Sequence, residues 1–171
     1  NGRIYAFLEG YTGPLYASDF DGAVTVTTIE DGLTLRGGGS VDYLYDSAGG
    51  DTLIGGDDAD HLYGGDGRDV LTGGDGRDYF YVEDTATTLA TADRITDFSG
   101  HGGDRDNIHI GHREETVWYR HMDVDGDGVM DTVLYDNATG DGGIYAILED
   151  YSDPLTAGEF YGASPIIAEI T

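Results

Sequence analysis

The sequence predicts an all-β protein: a parallel β-roll followed by an antiparallel β cap. Two observations carry the prediction. Five nonapeptides run in frame over residues 37–81: GGGSVDYLY, DSAGGDTLI, GGDDADHLY, GGDGRDVLT and GGDGRDYFY. Each has Asp at position 6 and a large apolar residue at position 8 (Leu44, Leu53, Leu62, Leu71, Phe80). Beyond them, residues 116–122 and 129–135 alternate as two strands, and 144–149 closes the module as a further strand. A disordered acidic linker could share this Gly and Asp content, but it has no reason to keep an apolar residue at every ninth position.

The chain begins with a second, longer repeat. IYAFLE at 4–9 returns as IYAILE at 144–149. Tyr11, Pro14, Leu15, Ala17, Phe20, Gly22 and Ala23 return as Tyr151, Pro154, Leu155, Ala157, Phe160, Gly162 and Ala163, at a gapless offset of 140. Such a period indicates tandem modules. Residues 1–23 are then the tail of a preceding module, 24–163 the module itself and 164–171 the start of the next. Residues 4–8 are too apolar to stand in water, so the leading segment is expected to pair with the roll's open end or with a neighbouring chain.

Val24, Val26, Ile29, Leu33 and Leu35 alternate and read as strands leading into the roll. Inside each nonapeptide, the strand around position 8 turns its large side chain inward, and the glycines reverse the chain. Two units make one coil, so equivalent residues lie 18 apart. Asp42, Asp60 and Asp78 then stack on one edge, Asp51 and Asp69 on the other. Stacked carboxylates repel unless a cation lies between them. Calcium suits the gap, because it takes roughly six to eight oxygens from carboxylates and carbonyls in a flexible geometry. The complete sites expected are 42/60, 60/78 and 51/69, with partial sites at the ends. The repeat departs from its own pattern at Asp46 and Ser47, where glycines belong, and at Ser40 and Asp58, so residues 40–50 are the least regular.

This block resembles the RTX (repeats-in-toxin, hemolysin-type) calcium-binding modules of secreted bacterial proteins. The resemblance implies Ca2+ as the bound ion, with loop carbonyls completing each shell. Those loops supply Gly55, Gly56 and Asp57; Gly64, Gly65, Asp66 and Gly67; and Gly73, Gly74, Asp75 and Gly76. It also implies export by type I secretion to the exterior or cell surface. Residues 82–92 form a polar connector with room for one helical turn. They lead to Asp93-Arg94-Ile95-Thr96-Asp97-Phe98 and Asp106-Asn107-Ile108. That pair is similar to the segment following RTX rolls in serralysin-type protease C-terminal domains and mannuronan epimerase R-modules. By that likeness Asp97 and Asp106 bind one more calcium, although His109 stands where a further acid is expected. The run Asp123-Val124-Asp125-Gly126-Asp127-Gly128, with Asp131 after it, resembles the first half of an EF-hand loop. Leu134 replaces its closing glutamate, leaving open an acidic hairpin turn or a weaker calcium site. Residues 153–160 close the module as an end cap.

Composition narrows the function. There are 34 acidic residues against 8 basic, all arginine, for a net charge of −26. Nucleic acid and anionic membrane surfaces are excluded as partners on that charge. No cysteine is present, and no apolar run is long enough to be inserted across a membrane. His61, His101, His109, His112 and His121 form no H-E-x-x-H, and no nucleophile elbow or Walker loop occurs, so no enzyme activity is expected. The leading expectation is a calcium-dependent folding module of a large secreted repeat protein of the adhesin or surface-layer type, with calcium and neighbouring modules as partners. The alternative is a carbohydrate-binding accessory module of an extracellular RTX epimerase or protease, meeting polysaccharide through calcium bridges or the Arg68/Arg77 face. An ice-binding roll would need ranks of Thr and Asn where these loops carry Asp and Arg.

Overall fold

The structure, a computed structural model, describes residues 15–16, 25–27, 32–46, 48–82, 85–100, 105–111, 116–161 and 166–170. Strands in the first half are β1 (Leu15–Tyr16), β2 (Thr25–Thr27), β3 (Thr34–Arg36), β4 (Tyr43–Tyr45), β5 (Ala48–Gly49), β6 (Thr52–Asp57), β7 (His61–Tyr63), β8 (Asp66–Gly67), β9 (Val70–Asp75) and β10 (Tyr79–Tyr81). The second half adds β11 (Asp93–Ile95), β12 (Asn107–His109), β13 (Thr116–Met122), β14 (Asp131–Tyr135), β15 (Ile144–Leu148) and β16 (Ile166–Glu169). Among the described residues the helical element is one 3-10 turn, Ala157–Glu159, and no helix is long and apolar enough to cross a membrane.

The nonapeptides wind as expected. One parallel sheet runs β12-β10-β7-β4-β2, and the opposite sheet begins β1-β3-β6-β9-β11. Register keeps the apolar positions in line: Leu44, Leu62, Phe80 and Ile108 form one column, and Leu35, Leu53, Leu71 and Ile95 face them from the other sheet. All eight are fully buried. Burying each contributes on the order of 1.5–3 kcal/mol. The roll therefore extends past residue 81, because Ile95 and Ile108 supply the next rung on each side. The connector forms no helix over its described part. Thr91 N donates to Thr88 O in a turn, and Ala86 bridges Ile144.

The cap is continuous with the roll. β11 pairs in parallel with β15, then β14 and β13 follow antiparallel, in one nine-stranded sheet ending at β16. Every residue of β14 and β15 is buried. One of their faces joins the roll core through Leu134, Ala146 and Leu148. The other builds a second core from Ala92, Val133, Tyr135, Ile144 and Ile147. The strand expected over 129–135 starts only at Asp131. Positive φ at Gly126 (85°) and Gly128 (94°), and a bond from Val129 N to Asp127 Oδ1, hold the loop open to residue 130. The end cap is the 3-10 turn, which Thr156 and Glu159 cap reciprocally, followed by Phe160 bridged to Ile108.

The ends bear on the 140-residue period. β1 pairs with β3 at the roll's N-terminal end, Leu15 opposite Leu35. Its counterparts Leu155 and Thr156 lie instead outside any strand and lead into the 3-10 turn. Residues 4–8 and Phe20 lie outside the described residues. β16 pairs in parallel with β13 and forms the far edge of the module's own sheet.

On the outer face of the five-stranded sheet, rings stack from coil to coil. Tyr43, His61 and Tyr79 form one stack, with centroids 4.4 and 4.6 Å apart. Tyr45, Tyr63 and Tyr81 form another, at 4.1 and 3.9 Å. The faces cover one another, which leaves ring edges and polar tips toward solvent.

Candidate metal centres

In Asp60, Asp69 and Asp78 the two carboxylate oxygens have different tasks, whereas Asp42 Oδ2 accepts from Gly38 N at 2.8 Å. One oxygen ties the coils. Asp42 N donates to Asp60 Oδ1 (2.7 Å), Asp60 N to Asp78 Oδ1 (2.9 Å) and Asp78 N to Asp106 Oδ1 (2.9 Å). On the opposite edge Leu33 N donates to Asp51 Oδ1 (2.6 Å), Asp51 N to Asp69 Oδ1 (2.8 Å) and Asp69 N to Asp93 Oδ1 (2.9 Å). The second oxygen is kept for another purpose. Oδ2 of Asp60, Asp69 and Asp78 is buried without a hydrogen-bond partner.

A buried, unpartnered carboxylate oxygen is expensive, and the cost appears in proton affinity. Burial, reinforced by neighbouring carboxylates, pushes Asp60 up to about 7, Asp69 to about 8 and Asp78 to about 6, from an ordinary 3.8. Asp106 is raised to about 7 for the same reasons.

Carbonyls converge on the same spaces. In the four units with glycine at position 1, that residue turns the face of its Cα toward its own aspartate. A Cβ on Gly55 would collide with both Asp60 Oδ2 and Gly73 O, and one on Gly37 with Asp42 Oδ2 and Gly55 O. Only glycine leaves that volume open. Gly56 and Gly74 stand in register across β6 and β9, as do Asp57 and Asp75; Ala48 pairs with Asp66 and Gly49 with Gly67 across β5 and β8. Asp57, Asp66 and Asp75 are exposed. Gly76 at position 4 has a φ of 133°, and Asp58 holds the equivalent turn at 73°, a conformation Asp tolerates better than most residues. The donors are all oxygen, carboxylate and carbonyl together, which is the set that a hard divalent cation such as calcium takes.

Residues 36–71, 45–80 and 54–89 each match the family model of the RTX calcium-binding nonapeptide repeat (4 copies). The three matches are the same pattern shifted by one nonapeptide at a time. No curated protein and no solved structure matches the chain. Residues 36–89 thus carry RTX calcium-binding nonapeptide repeats, the repeat that binds Ca2+.

The partial sites at the ends have different constructions. Asp97 accepts from Gly73 N (2.9 Å) and Gly74 N (2.7 Å), while Asp106 Oδ2 accepts from Ser99 N (2.8 Å). The charge of Asp97 acts on the carboxyl groups of both Asp78 and Asp106, and that of Asp78 on Asp106, so the three stand together at one acidic end of the roll. Asp93 was not among the expected ligands. It takes the rung after Asp69, and the two Oδ2 atoms lie 3.0 Å (Asp69) and 3.3 Å (Asp93) from where a Gly64 Cβ would stand. The signal was in the sequence: Asp93-Arg94-Ile95 and Asp106-Asn107-Ile108 repeat the Asp-x-apolar of positions 6 to 8, but at spacings of 24 and 28 instead of 18. Beside Asp93 lies a pocket of about 330 Å³ lined by Gly65, Asp66 and Gly67 together with Thr85, Ala86 and Tyr145.

The Asp123 loop gathers three of its four acids. Carboxylate oxygens of Asp123, Asp125 and Asp131 lie within 4.8 Å of one another. Asp127 is outside the group. Its Oδ1 accepts from Val129 N at 2.7 Å. Asp123 binds Gly126 N and Gly128 N, and Asp131 binds Val124 N and Asp150 N, so these acids already satisfy the turn. Arg94, paired with Glu149, also reaches Asp125 (3.9 Å).

Proposed function

We propose that this chain is a calcium-triggered folding module of a large secreted repeat protein of the adhesin or surface-layer type, exported unfolded by type I secretion, with no catalysis of its own. The observation that carries the reading is the set of three buried, unpartnered oxygens on Asp60, Asp69 and Asp78. Without a cation they oppose folding; with one they hold successive coils together. A net charge of −26 adds self-repulsion that calcium relieves. Low calcium keeps the chain loose, and extracellular modules bind at about 10⁻⁴–10⁻³ M, so folding follows export. The neighbouring modules implied by the 140-residue period are its partners in the chain.

Calcium titration of the metal-free chain by far-ultraviolet circular dichroism tests the reading. β structure should rise cooperatively toward millimolar calcium, and magnesium should not replace it. Identical spectra with and without calcium would sink the proposal.

A further inference from the structure

The second unit places Asp46 where every other unit of the roll has glycine: Gly37, Gly55, Gly64 and Gly73. By sequence this is a defect in the repeat. The geometry of position 1 gives it a use. A Cβ there points at the metal-binding carboxylates, 2.6 Å from Asp42 Oδ2 when built on Gly37, and 3.0 and 3.3 Å from Asp69 Oδ2 and Asp93 Oδ2 when built on Gly64. Asp46 lies one coil before Gly64. Tyr45 pairs with Tyr63, and Asp46 N donates to Tyr63 O at 2.8 Å. Asp46, Asp51 and Asp69 therefore stand to one another as Gly64, Asp69 and Asp93 do.

We propose that Asp46 is a third carboxylate ligand of the calcium held between Asp51 and Asp69. Its side chain enters the site instead of leaving the roll, being 7% exposed on an edge where neighbouring Ala48 is exposed. The site it enters contains Asp69 Oδ2, fully buried and without a partner. Burial is the main cause of the raised Asp69 carboxyl, and the charges of Asp93, Asp46 and Asp51 add to it. Three carboxylates in place of two make this the most strongly charged interior site, and ligand charge count is a principal determinant of calcium affinity. This site fills first, at the most irregular unit of the roll, and sets its geometry there. The inference rests on the calcium reading of the two columns.

Calorimetric calcium titration of the full chain against Asp46→Gly and Asp46→Asn tests it. Asp46→Gly restores the residue found at the other four position-1 sites, so the fold tolerates it. The expected result is an unchanged number of bound ions with the tightest site weakened on the order of 10-fold, persisting at high potassium chloride, with Asp46→Asn between the two. Terbium(III) bound to Asp46→Gly should carry more coordinated water, measured from luminescence lifetimes in light and heavy water. Equal or tighter calcium binding by Asp46→Gly, or a weakening that salt abolishes, overturns direct ligation while leaving the calcium reading intact. Absence of calcium binding by the parent chain overturns both.

Discussion

Asp69 shows how one residue type serves two demands. Its Oδ1 receives the Asp51 amide, a bond that specifies coil register, while Oδ2 waits for the ion. Raised carboxyl groups give a defined pH dependence. An Asp with a folded pKa above its unfolded value stabilises the fold when protonated, and that stability is lost as pH rises through the folded pKa. With Asp60, Asp69 and Asp78 at about 7, 8 and 6 against 3.8, the calcium-free roll should lose stability steadily between about pH 4 and pH 8. Calcium affinity should rise over pH 6–8, with protons released on binding. Urea melts in chelator across that range, and calorimetry in buffers of different ionisation enthalpy, check both halves; a calcium-free roll that gains stability toward pH 8 would contradict the assignment. Asp69→Ala should raise the calcium midpoint for folding far more than Asp123→Ala. Losing Asp69 removes a buried ligand and a register bond, whereas the acids around Asp123 are already occupied by backbone amides. Comparable midpoints for the two variants would reverse this ranking of sites.

At the scale of the element, the roll was legible because each nonapeptide repeats one local rule. Position 8 is buried, position 6 is a buried aspartate, and glycine stands at most of the places where a Cβ would meet that aspartate or φ is positive. The rung strands β11 and β12 were partly hidden, since the same Asp-x-apolar triplet recurs after loops that break the period. The start of β14 was misplaced because Val129 and Met130 are apolar residues that suit a strand, yet two glycines with positive φ precede them and both stay exposed. Asp127 stands apart from the Asp123, Asp125 and Asp131 group for a related reason. An Asp-x-Asp-x-Asp-Gly pattern can satisfy its own turn without directing every carboxylate inward. Within a column each apolar rung is replaceable only at a cost. Leu62→Ala, in mid-column and fully buried, should destabilise the calcium-loaded chain by about 2–5 kcal/mol in urea melts, from lost burial and the cavity left behind. A loss under 1 kcal/mol would mean the coils collapse onto the gap, about as an isosteric change would.

For the whole molecule, roll and cap share one sheet, so metal-driven order in the columns is transmitted to β13–β16 through β11 and β15. Chelation should therefore unfold cap and roll together, giving one transition by Trp118 fluorescence and by far-ultraviolet dichroism; two separated transitions would show the cap folding alone. The boundary of the module is tested by deleting residues 1–22. The expected outcome is calcium-dependent folding with lower stability, because β1 is lost from the sheet edge while β2 onward is kept. Complete failure to fold would make the leading segment integral.

The stacked rings give the roll an optical signature of its own. Tyrosines at 3.9–4.1 Å are close enough for their electronic transitions to couple, and the coupling exists only while consecutive coils are in register. Tyr45, Tyr63 and Tyr81 belong to three successive coils, so the signal reports coil stacking and not strand content. Near-ultraviolet exciton bands from that ladder, set beside the emission of the cap's Trp118, make the protein its own two-channel reporter of where order begins.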